Sequence, residues 1–126
     1  MSATHKAILE KANAAVVEGD FEGFLMFCTE DTEWTFVGDR TITGKEAVRQ
    51  WMATAYREPP RFELHRMIAE GEFVTALGEI KLKDEEGKAT RHAYCDVWRF
   101  RGGRMAELHA FVIETHPVSG ALAQDG

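Results

Sequence analysis

Residues Tyr94 to Gly103 read YCDVWRFRGG, and Arg104 to Thr115 continue RMAELHAFVIET. Two runs of β-branched and aromatic residues flank a Gly-Gly pair, the local pattern of a β-hairpin. Within the first run, alternation places His92, Tyr94, Asp96, Trp98 and Phe100 on one face and Ala93, Cys95, Val97 and Arg99 on the other. A carboxylate thus stands in an otherwise aromatic row. If that row is buried, Asp96 needs a hydrogen-bond partner, or it keeps its proton.

Working back from this hairpin, RFELHRMIA (61–69) and EFVTALGEIKLK (72–83) are two further strand-like runs, separated by Gly71 and by DEEGK (84–88). Gaps of this length predict an antiparallel meander of four strands. The first half of the chain has the helical period instead. Ile8, Ala12, Ala15 and Val16 mark a first helix over about His5–Glu18, stopped by Gly19. Asp20 is placed to cap a second helix, with Phe21, Phe24, Leu25 and Cys28 on one stripe. TEWTFVGDRTIT (32–43) suggests a strand or hairpin around Gly38-Asp39. Thr43 and Glu46 then have capping-box spacing for a third helix that buries Ala47, Val48, Trp51, Met52 and Ala55 and ends before Pro59-Pro60. Helices followed by strands, without βαβ alternation, predict an α+β domain with helices on one face of a curved sheet.

The 126 residues, 44% of them hydrophobic, suit one domain over 1–126, with a loosely held tail from His116 onward. With a net charge of −6 and scattered basic residues, no nucleic-acid footprint is present. No run approaches the length of a membrane span, and the N-terminus lacks the order of a signal peptide, so no membrane partner and a cytoplasmic location are expected. Cys28 and Cys95 both lie among apolar residues, as reduced thiols do. The five histidines form no HxxxH or HExxH pattern and no phosphate-binding glycine loop occurs, so neither a metal nor another cofactor is expected. Ser2 and Ser119, the only serines, are too near the termini for a serine triad.

The element order, with EGDFEGF (18–24), EDTEW (30–34), TGKEAVRQWM (43–52) and DVWRFRGGRM (96–105), resembles the nuclear transport factor 2-like superfamily, above all its SnoaL-like and ketosteroid-isomerase-like branches. The resemblance spans about residues 5–115. It implies a cone-shaped fold with three N-terminal helices packed on a curved antiparallel sheet, and it marks the fold more specifically than the reaction. In ketosteroid isomerases an aspartic acid in an Asp-Val-x-Arg-Phe strand donates to the developing enolate, and Asp96 matches it. Their proton-shuttling aspartate falls near Phe36 or Val37 here, and their helix tyrosine near Ala12. Limonene-type epoxide hydrolases need groups that fall at Trp34, Phe36, Gly78, Ile80 and Ala110 in this chain. Neither set is complete.

What the resemblance implies is a SnoaL-like small-molecule enzyme, of isomerase, cyclase, dehydratase or hydrolase type, using cofactor-free acid-base chemistry on a hydrophobic or aromatic ligand. Asp96 would be the acid or enolate donor, Tyr94 an assisting hydroxyl, and His65 a second proton-transfer group whose face alternation leaves open. Trp34, Phe36, Trp98, Leu108, Ala110 and Val112 would line the pocket. The alternative is a non-catalytic ligand-binding or dimeric module, with Asp96 kept for structure. By the same resemblance, Ala93, Cys95 and Val97, with His109, Phe111 and Ile113, form an outer apolar face suited to a homodimer.

Overall fold

The computed structural model describes residues 2–56, 61–83 and 86–115. The tail expected from His116 lies outside them. Helix α1 (Ser2–Val17) buries Leu9, Ala12 and Val16 and ends at Gly19, whose φ of 82° is open to glycine without strain. The amides of Gly19 and Asp20 bond back to the carbonyls of Val16 (3.0 Å) and Ala15 (2.8 Å), closing a Schellman turn. Asp20 then caps α2 (Phe21–Leu25) by accepting from the Gly23 amide at 2.9 Å.

The second helix is shorter than its apolar stripe suggests. Cys28 opens strand β1 (Cys28–Phe36) rather than a further helical turn, because the Phe27 carbonyl accepts from the Met105 amide at 2.8 Å and draws the chain onto the sheet. Strand β2 (Arg40–Thr43) completes a hairpin with β1. The capping box at the start of α3 (Lys45–Ala55) does not form. Thr43 is committed to β2 opposite Glu33, and Gly44 is the N-cap, with φ 95° and its amide on the Thr32 carbonyl at 2.7 Å. Glu46 pairs instead with Arg49, whose guanidinium also holds Glu22 of α2 at 2.6 Å.

The meander follows as β3 (Arg61–Glu70), β4 (Phe73–Lys83), β5 (Ala89–Arg101) and β6 (Arg104–Glu114). The six strands are ordered β2-β1-β6-β5-β4-β3. All pairings are antiparallel except β1 with β6, which run parallel. That one parallel contact lies outside the four-strand meander, whose own pairings are antiparallel as its short turns predict. Irregularities at Cys28/Glu33, Leu64/Arg66 and Arg99/Phe100 interrupt the ladders, as bulges do where a sheet must bend. The three helices pack against this curved, unclosed sheet, α1 toward β3 and β4 and α3 toward β1 and β2. The core between them includes Phe24, Leu25, Val48, Met52, Val74 and Phe100.

Candidate active site

Register decides what surrounds Asp96. On β5, Tyr94, Asp96 and Trp98 face the helices. Their partners are Gly78, Ala76 and Val74 on β4, and Val112, Ala110 and Leu108 on β6. Asp96 therefore sits between two alanines, which neither fill the space over the carboxyl nor offer it a donor. Gly78 does the same for Tyr94. A Cβ there would lie 2.8 Å from the Tyr94 hydroxyl and 2.3 Å from the Glu63 carbonyl, so only glycine lets the ring lean across β4.

The small residues leave a cavity of about 200 Å³. Tyr94, Asp96 and Trp98 line it together with Leu108, Ala110 and Val112 of β6 and Trp34 and Phe36 of β1. From the helical layer come Asn13 and Val16 of α1, Phe24 of α2, and Trp51, Met52 and Ala55 of α3, with Tyr56 just beyond it. Phe62, Ile80 and Leu82 close the side formed by β3 and β4. Trp34 is the hub of the aromatic wall. Its ring lies 5.6 Å from Trp98, 5.7 Å from Phe24 and 5.8 Å from Trp51, each pair tilted edge to face as ring quadrupoles prefer. Its indole Nε1 is buried and has no hydrogen-bond partner among the described residues. The rings do not fill the cone, because the cavity remains beside them.

Asp96 is surrounded almost wholly by protein, yet it retains intermediate accessible surface. The two facts agree if that surface belongs to the cavity wall. Among the described residues no hydrogen bond or ion pair reaches its carboxyl. Burial alone pushes its pKa from 3.8 up to about 7, the behaviour of a carboxyl whose charge is not compensated. Burial first, and then the nearby charge of Asp96, pushes Tyr94 up to about 12. Tyr56 is raised for the same two reasons, burial dominating, with a smaller contribution from Tyr94. Both hydroxyls stay protonated across the range in which Asp96 titrates.

His65 does not join this group. It lies at the interrupted β3–β4 ladder on the opposite face of the sheet, where its Nε2 is 3.6 Å from Glu63 and 3.4 Å from Glu79. Ligand atoms of Glu63, His65 and Glu79 lie within 4.8 Å of one another, a grouping that histidine spacing did not reveal. Arg91, 3.9 Å from Glu79, shares that carboxylate, and Arg61 and Lys81 stand beside it. The sequence reading missed Tyr56. The stripe of Trp51, Met52 and Ala55 does point to it, four residues after Met52, but Tyr56 has already left the helix.

The fold is of the nuclear transport factor 2-like class. Within that class, the SnoaL-like domain model matches residues 9–108, and the chain belongs to that family. No curated protein matches the chain. An NTF2-like protein of unknown function from Burkholderia pseudomallei is similar in structure, with a TM-score of 0.77 and 21% identity over 98% of this chain and 97% of that one. A second, from Cytophaga hutchinsonii, gives 0.72 and 23% over 90% and 99%. The epoxide hydrolase/cyclase-like enzyme SalBIII, which has a role in pyran ring formation in the polyether salinomycin, gives 0.79 and 19% over 86% and 89%. At these identities the likeness is one of fold.

Proposed function

We propose that the chain is a SnoaL-like enzyme performing cofactor-free acid-base chemistry on a small hydrophobic or aromatic molecule held in this cavity. The observation behind the reading is the Asp96 carboxyl, unpartnered and facing an apolar aromatic space. A carboxyl titrating near neutrality can give and take a proton at working pH, which general acid-base catalysis requires. Tyr94 and Tyr56 supply neutral hydroxyls that donate to an oxygen gaining negative charge. Trp34, Phe36, Trp98, Leu108, Ala110 and Val112 position the ligand by contact.

The test is solvent deuterium uptake at the α-carbon of small cyclic and aryl ketones, followed by proton NMR. The folded protein is expected to accelerate exchange, and Asp96→Asn to lower that acceleration by roughly 100-fold or more. Acceleration that survives Asp96→Asn would exclude Asp96 as the proton carrier. If ligands bind and no exchange occurs, the reading of the fold as a non-catalytic binding module takes its place.

The outer face of the sheet belongs to a homodimer in this reading. Phe111 and Ile113 are 44% and 69% exposed beside Cys95 and Val97, an apolar patch that a second copy would cover. Sedimentation is expected to show a dimer that Ile113→Glu dissociates, and a monomeric unsubstituted protein would rule this out. Cys28 and Cys95 are both free thiols, which suits a reducing cytoplasm.

A further inference from the structure

The geometry points to a ligand with a basic nitrogen: a small aromatic or cyclic amine whose ammonium head pairs with Asp96. The inference rests on the cavity being a ligand site, but not on turnover there. Eight of the eighteen residues lining the cavity are aromatic, and none of the eighteen is lysine, arginine or histidine. A buried carboxylate is ordinarily matched by a cation, and among the described residues none faces this one. The ligand is then the natural source of the missing charge.

The wall favours the same answer. Aromatic rings attract a cation through their quadrupoles and give an anion no such help, so a carboxylate among Trp34, Trp51, Trp98 and Tyr56 selects for positive charge. Size limits the rest of the molecule. An apolar cavity of about 150 Å³ is enough for benzene, so the volume here, about 200 Å³, suits one ring with a short aminoalkyl arm.

The proton balance is simple. A free amine entering the cavity takes the Asp96 proton: the carboxyl O–H bond breaks, an N–H bond forms, and an ammonium-carboxylate pair results without another reagent. An ammonium meeting ionised Asp96 reaches the same pair. Affinity is therefore greatest between the titration of Asp96 and that of the amine. The other titratable groups facing Asp96 do not interfere. Tyr94 on β5 and Tyr56 after α3 remain neutral there, α1 contributes the uncharged Asn13 and Val16, and α2, α3, β1, β3, β4 and β6 contribute apolar or aromatic side chains.

Calorimetric titration with benzylammonium, benzyl alcohol and benzoate tests the assignment on the intact protein and on Asp96→Asn. At pH 8 benzylammonium is expected to bind at least about tenfold more tightly than benzyl alcohol. Its affinity should fall about tenfold by pH 6 as Asp96 gains its proton. Asp96→Asn should remove the preference, and an unchanged circular dichroism spectrum shows that the variant is folded. Equal or tighter binding of benzyl alcohol by the unsubstituted protein would overturn the amine class and leave the ligand-site reading standing. Failure of all three probes to bind would overturn both. An ammonium preference that persists in Asp96→Asn would remove Asp96 from the assignment.

Discussion

Asp96→Asn is expected to stabilise the folded protein at alkaline pH, by up to roughly 4 kcal/mol at pH 8, and to leave it almost unchanged near pH 4. The sign follows from the direction of the pKa shift. Burial holds the folded-state pKa at about 7 against 3.8 for the ordinary carboxyl, so the folded protein binds this proton more tightly than the unfolded chain does. The resulting stability is fully present below about pH 4 and is lost as pH rises through about 7. Asparagine fills nearly the same volume and cannot ionise, so it avoids that loss. Urea midpoints measured for both proteins from pH 4 to pH 8 should diverge as pH rises. A constant difference across that range would mean that Asp96 ionises in the fold as easily as in water.

Trp34→Ala acts in the opposite direction, and its expected cost is roughly 3–5 kcal/mol. The ring is 4% exposed and touches Trp98, Phe24, Trp51 and Phe36, which come from four different elements. Its removal deletes buried area and leaves a void that several elements would have to collapse to fill. Against a typical domain stability of about 5–15 kcal/mol this is a large fraction. Trp34→Phe should cost much less, because it keeps most of the ring and removes an indole N–H that has no acceptor among the described residues. Guanidinium midpoints for the two variants check both statements. An alanine variant within about 1 kcal/mol of the unsubstituted protein would show that the aromatic wall is loosely packed.

The contrast between these residues explains how much of the molecule could be read from its sequence. The meander was legible because period-two alternation and turn glycines are local signals, and β3 to β6 pair with immediate neighbours. The parallel contact of β1 with β6 was not, since it joins segments about 75 residues apart and leaves no trace in either run alone. Alternation put Tyr94, Asp96 and Trp98 on one face, and the family resemblance turned that face inward together with Leu108, Ala110 and Val112; all six line the cavity. Alternation failed at His65, where the ladder is interrupted and it loses its count. Tyr56 was overlooked because it lies past the last helical residue, although the stripe of α3 extends to it. That Ala76 and Ala110 stand directly opposite Asp96 on its two neighbouring strands was not legible, for another reason. Their importance lies in register, and register is a property of strand pairs.

The place of β6 in the sheet has a consequence for how the molecule comes into being. Of the described strands β6 is synthesised last, and it lies between β1, the first, and β5. Until it arrives, β1–β2 and β3–β5 are separate pieces with open edges, and the cavity lacks the wall that joins them. Assembly must therefore wait for long-range closure, which slows folding and exposes unpaired edges in the interim. Chains cut short before Arg104 would be left in that divided state.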